Sequence, residues 1–242
     1  MIKNINMHSI NCKFFFKKNM FRFVANKREY WAKERISFLK SKINFFPKMK
    51  ILDLGGYDGV FMDKISTVCN DLDITISDID KNALEIAKSK GYKTIHMDGS
   101  VIFPFADNEF DLIFCNSVIE HVTIPKTDVW MKQKNKKFES DSFKFQSLFA
   151  KEIRRCAKHY FVQTPHKYFI IESHTWFPFV GYFSHNSIIC IVSVLNKFWI
   201  KKSDPDWYLL SGKQMKELFP NAQIFTTKKI GFPKEIIAID IL

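Results

Sequence analysis

From Lys50 onward the chain alternates short apolar runs with stretches of helical period. Ile51-Leu52-Asp53-Leu54 is a compact apolar run stopped by Gly55-Gly56, the pattern of a buried strand entering a turn. Gly59 to Cys69 has helical spacing and Ile74 to Ile76 that of a strand. Lys81 to Lys90 reads as a second helix, capped by Asp80 and stopped by Gly91. Thr94 to Met97 and Asp111 to Cys115 read as the third and fourth strands. Lys151 to Lys158 ends a further helix, and Tyr160 to Val162 is the fifth strand. A helix over Ser211 to Phe219 and strands over Ala222 to Thr227 and Glu235 to Ile241 complete the pattern. Strands alternating with helices predict an α/β fold, a doubly wound and mostly parallel seven-stranded sheet.

Two segments break this rhythm. Thr123 to Phe145 is polar and Lys-rich and reads as a loop or mobile helix. His166 to Asp206 is aromatic and apolar, too long for a plain connector, and is expected to be a cap or binding insertion. Its longest apolar run, Ile188 to Leu195, is flanked by His185, Asn186 and Lys197. That is far short of the ~18 clean apolar residues of a spanning helix, so a buried or interfacial helix fits better.

Charge changes the picture at the front of the chain. Residues 1–48 carry twelve basic and two acidic side chains, against 25 and 23 in residues 49–242. The net charge of +12 therefore belongs mainly to a basic N-terminal arm and helix. Lys27 to Lys42 has helical period with an apolar side, and Pro47 closes the arm. An arm of this kind favours anionic partners. With Phe14, Phe15, Phe16 and Phe21 among the charges, residues 1–26 are expected to touch an anionic membrane peripherally. Phe14 to Phe16 is too short for a secretory apolar segment. The five cysteines are scattered, which argues against a disulfide framework and a structural zinc site. Cys69, Cys115, Cys156 and Cys190 sit in apolar surroundings and are expected to be buried thiols in a reducing, cytoplasmic compartment.

The chemistry points to the first turn. Asp53-Leu54-Gly55-Gly56-Tyr57-Asp58-Gly59 follows a strand and opens a helix, where glycines let the backbone turn tightly and approach a ligand. Asp78 ends the second strand, the position from which a carboxylate accepts hydrogen bonds from ribose hydroxyls. A dinucleotide fingerprint fails, because its second and third glycine positions are Tyr57 and Val60.

These residues, with Asp98-Gly99, Phe103-Pro104-Phe105, Phe110-Asp111 and Glu120-His121-Val122, resemble class I S-adenosylmethionine-dependent methyltransferases of the type 11 group. The resemblance implies a Rossmann-like fold over residues 49–242, a helical cap insertion at about 166–206, and S-adenosyl-L-methionine as cofactor. It implies that Gly55 and Gly59 line the methionine part, Asp78 binds ribose, and Asp98 faces the adenine amino group. Asp53, Gly56, Tyr57, Ile79, Gly99 and Asn116 complete the implied cofactor contacts. Tyr57 stands where the family often has glycine, a departure that keeps a cofactor-free relative acting as a binding protein in play.

Phe161 to Phe169, Glu172, His174, Leu209 to Ser211, Leu218 to Ala222 and Gly231 to Lys234 are similar to a branch found among surface-polysaccharide genes. That likeness implies methyl transfer to a hydroxyl of a glycan or glycolipid intermediate; a quinone precursor or other small molecule is the rival acceptor. Hydroxyl methylation is helped by a general base, and His174, His166 and His121 are the candidates near the carboxyl edge of the sheet. Each is equally readable as a hydrogen-bonded structural histidine. No metal is expected, since His166, Glu172 and His174 form no compact helical ligand pair. Nucleic-acid base methylation is disfavoured, because Asn116-Ser117-Val118-Ile119 replaces an Asn-Pro-Pro-aromatic turn, although the arm keeps RNA binding open.

Overall fold

The structure is a computed structural model and describes residues 30, 32–97, 99, 101–132 and 136–240. The expectations for the arm at residues 1–26 and for Asp98 fall outside these residues. The chain divides into two compact units, residues 1–44 and 45–242. In the first, a helix runs over residues 32–40 (α1).

The second unit is built on a sheet of seven strands: β1 (Lys50–Leu54), β2 (Asp73–Asp78), β3 (Lys93–His96), β4 (Phe110–Asn116), β5 (Ala157–Pro165), β6 (Gln223–Lys229) and β7 (Phe232–Ile239). Their order is β3-β2-β1-β4-β5-β7-β6. Neighbours from β3 to β5 pair in parallel, while β7 lies antiparallel between β5 and β6. The helices are α2 (Val60–Ile65), α3 (Lys81–Ser89), α4 (Lys137–Cys156), α5 (His185–Phe198) and α6 (Gly212–Leu218). This is the Rossmann-like, doubly wound sheet that the sequence pattern predicts. The order reverses between β1 and β4, which opens a crevice outside their carboxyl ends.

Three local readings need correction or refinement. The helix after Gly59 ends at Ile65, not near Cys69. Of the segment read as a loop or mobile helix up to Phe145, the part from Lys137 is helical and belongs to α4, which runs for 20 residues and so begins well before Lys151. Its buried stripe is Phe138, Ser142, Gln146, Phe149, Ile153 and Cys156, and two of these are polar, so the apolar period looks broken in sequence. Gln146 is buried because its Nε2 donates to the main-chain oxygens of Ile119 and Tyr208, both at 3.0 Å. The thiols also divide. Cys115 and Cys156 are buried as expected, but Cys69 is half-buried and Cys190 is exposed. Cys190 lies on the outward stripe of α5 with Val194 and Phe198, while Ile188, Val192 and Leu195 face inward. Among the described residues, no helix is long and apolar enough to cross a membrane.

Candidate active site

The first turn closes over the end of β1. The Gly55 and Gly56 N–H groups donate to the Ser77 carbonyl at 2.8 and 3.1 Å, tying the turn to the end of β2. Gly55 has φ +74, and a Cβ there would lie 2.3 Å from Val118 Cγ2, so only glycine lets the turns after β1 and β4 come together. Gly59 has φ +76 as it enters α2. Tyr57 also holds a positive φ of 53, so it adopts the backbone conformation that a glycine takes more readily. Its N–H donates to Asp78 Oδ2 at 2.9 Å, while Asp78 Oδ1 accepts the Asp80 N–H at 2.9 Å. Asp78 therefore fixes the turn and keeps carboxylate lone pairs for a ligand.

Asp53 is the unusual group. Its side chain is buried, and Oδ2 has no hydrogen-bond partner among the described residues. Burial first, and then the nearby Asp78 charge, push its carboxyl from the ordinary 3.8 to about 8.

A cavity of about 750 Å³ opens at the crevice, a size suited to a nucleoside cofactor plus part of an acceptor. Of the residues implied by sequence, Gly55, Asp78, Ile79, Gly99 and His121 line it. Asp53, Gly56, Tyr57, Gly59 and Asn116 do not, and stand behind the wall or beside it. Thr123 to Lys126, Phe145 and Phe149 also line the cavity. Of the described residues of the insertion at 166–206, Asp206 lines this cavity. Residues 117–126 leave β4 at the switch point and fold across the crevice. Much of the insertion instead packs on itself, with Val180, Ile188 and Val192 around Trp207 and Leu209.

Sequence reading missed the partners of His121. Its Nδ1 meets Asp206 Oδ1 at 3.2 Å, and Asp206 also pairs with Lys126. Thr123 Oγ1 donates to the Asp206 carbonyl, and the Tyr208 N–H donates to the Glu120 carbonyl. No local signal announces a contact across 85 residues. Burial works against the charged forms here. The pairing outweighs it, so the His121 pKa is raised and the Asp206 pKa is held well below its ordinary range.

His174 lies edge-on to His121, ring centroids 4.8 Å apart, and stacks on Trp207. Its Nδ1 contacts Glu172 Oε1 at 2.5 Å. Glu172 is fully enclosed and accepts the N–H groups of His174 and Thr175. Burial alone would raise its pKa, but these hydrogen bonds bring it below the ordinary value. His166 sits apart: its Nδ1 accepts the Tyr168 N–H, and burial lowers its pKa. His121 thus lies in the cavity wall and His174 against it, while His166 serves the main chain.

Comparison with known proteins follows the geometry. Residues 52–133 match the type 11 methyltransferase-domain family. No curated protein sequence matches the chain. Phosphoethanolamine N-methyltransferase 2 from Haemonchus contortus, solved with S-adenosyl-L-methionine, aligns with TM-score 0.53 and 14% identity over 81% of this chain and 38% of that one. A candidate O-methyltransferase from Nostoc punctiforme aligns with TM-score 0.52 and 16% identity over 93% of this chain and 59% of that one. The PH0226 protein of Pyrococcus horikoshii aligns with TM-score 0.50 and 13% identity over 86% of this chain and 89% of that one. The chain spans less than two thirds of the first two proteins, and at these identities the likeness concerns the fold. The family match runs from β1 through the glycine turn, β4 and the cavity wall, so this part of the chain is similar to the methyltransferase domain of the type 11 group, and the fold around it is that of class I methyltransferases.

Proposed function

We propose that the chain methylates a hydroxyl of a glycan or glycolipid intermediate in the cavity above β1 and β4. The observation that carries this reading is one continuous cavity lined by Gly55, Asp78 and His121 together. The residues fit the cofactor: a turn that tolerates no Cβ at Gly55, a carboxylate at the end of β2, and a buried orphan oxygen on Asp53. S-adenosylmethionine supplies, when bound, a methyl group activated by a sulfonium. Asp78 would hold the ribose hydroxyls, and Phe145 and Phe149 exclude water from the part of the cavity they line. At the His121 end an acceptor hydroxyl finds a group able to take up its proton, held in place by Asp206. The likeness of residues 161–234 to a surface-polysaccharide branch supports a glycan acceptor.

Two measurements test this. Calorimetry with S-adenosylmethionine should give saturable binding that Asp78→Ala weakens by ~10²-fold, the loss of two hydrogen bonds to a charged acceptor. Absence of heat from the unsubstituted protein would sink the cofactor assignment. With labelled methyl donor and extracts separated into lipid, polysaccharide, RNA and small-molecule pools, label should enter the polysaccharide or lipid pool. Label confined to RNA or to small molecules would overturn the acceptor assignment.

A further inference from the structure

We propose that Glu120, His121 and His174 form a site for a divalent transition-metal cation whose open coordination positions face the cavity. One donor atom from each of the three lies within 4.8 Å of the other two. Ligand bonds of about 2.1 Å require the side chains to close in by roughly an ångström.

The surroundings of each donor point to a cation. Glu120 is completely buried. Its Oε2 accepts the Thr164 hydroxyl at 3.0 Å, but Oε1 is buried with no partner among the described residues. A buried, unpaired carboxylate oxygen is costly unless a positive charge compensates it. Lys126 is engaged by Asp206 instead, and the charge that couples to Glu120 is that of His121, itself one of the three donors. Both imidazoles have Nδ1 held by a second carboxylate, His121 by Asp206 and His174 by Glu172. That leaves Nε2 of each ring as the nitrogen available to a ligand. A carboxylate behind each imidazole orients the ring, fixes its tautomer and raises its basicity, the usual support of a metal-binding histidine. Trp207 stacked on His174 holds that ring further.

Two imidazoles and one carboxylate suit zinc, manganese, iron or cobalt rather than magnesium or calcium, which prefer all-oxygen sites. Three protein ligands leave positions open. Because His121 lines the cavity, those positions face the place assigned above to the acceptor. The use of the site rests on that assignment; cation binding does not. A coordinated hydroxyl would lose its proton to solvent more readily. Its oxygen pair would form the new O–C bond as the C–S bond breaks with its electrons going to sulfur. Proton uptake at His121 would then give way to acidification by the cation.

The test uses the full chain, freed of metal by a chelator and titrated with Co²⁺ alone, Zn²⁺ alone and Mg²⁺ alone. Co²⁺ is expected to bind at one equivalent with visible ligand-field absorption, Zn²⁺ to displace it, and Mg²⁺ to leave it unchanged. Glu120→Gln, which keeps size and the Thr164 contact, and His174→Ala should each weaken Co²⁺ binding by ~10²-fold or more. Asp206→Asn should weaken it by ~10-fold. The Co²⁺ protein should also show two shifted, exchangeable imidazole N–H resonances, a reading that needs no variant to fold. No stoichiometric Co²⁺ binding, binding unchanged in both ligand variants, or absence of those resonances would overturn the site. Intact Co²⁺ binding without methyl transfer to any glycan pool would count against the acceptor assignment alone.

Discussion

Asp53→Asn is expected to make the protein more stable than the unsubstituted chain above about pH 5, by about 5 kcal/mol near pH 7.5, and to leave it little changed at pH 4. The carboxyl is buried, its Oδ2 is unpartnered, and its pKa rises from 3.8 to about 8 in the folded protein. A group whose folded pKa lies above its unfolded value binds its proton more tightly when folded. Its contribution is complete below pH 4 and is lost as pH rises through 8. The limiting slope is ~1.4 kcal/mol per pH unit for one proton, so the roughly 3.5 pH units between the unfolded value and pH 7.5 give about 5 kcal/mol. Asp78, Tyr92 and Cys115 face the same region, and the Asp53 charge opposes ionisation of Tyr92 and Cys115. Comparison of the two proteins by urea unfolding from pH 4 to 8.5 isolates Asp53 from these neighbours. A stability difference that stays flat across this range would show that Asp53 is not the group responsible. The same substitution should weaken S-adenosylmethionine binding, because a buried carboxylate beside the turn is the natural counter-charge for the ligand's cationic groups. Stability gained at the expense of function is common where a site holds an unfavourable charge ready.

Gly55→Ala is expected to cost about 2–4 kcal/mol and to lower cofactor affinity at least ~10-fold. About 1 kcal/mol comes from placing a side chain at φ > 0, and about 1–3 kcal/mol from overpacking against Val118. The contact is severe, since the new Cβ would lie 2.3 Å from Val118 Cγ2. Both residues line the cavity, so separating them widens the crevice between the turns after β1 and β4. Gly91 is the control: its φ is +94, but nothing lies within 4 Å of its Cβ position, so Gly91→Ala pays only the backbone cost. Adding Val118→Ala to Gly55→Ala should restore part of both stability and affinity. Equal destabilisation by the two glycine substitutions, measured by urea unfolding, would remove the argument for a steric role at Gly55.

The sequence by itself determined the strand-forming segments, because buried parallel strands are continuous apolar runs and need no partner to be recognised. It also determined the turn at Gly55 to Gly59 and the acid at Asp78, whose spacing is local and chemically demanding. It could not show that β7 runs antiparallel between β5 and β6, since strand order depends on how the chain returns and not on any one strand's pattern. It left the first half of α4 open between loop and helix because Ser142 and Gln146 interrupt the apolar stripe, and Gln146 is buried only by virtue of acceptors on Ile119 and Tyr208. It placed His121, His174 and His166 alike at the edge of the sheet. Tertiary structure separated them, setting His121 in the cavity wall, His174 against it and His166 on the main chain. It also brought residues 123–126 into the cavity lining, and Asp206 to His121 across 85 residues. Local pattern records whether a side chain will be buried or a backbone will turn; which distant carboxylate meets which imidazole is settled only when the whole sheet is wound.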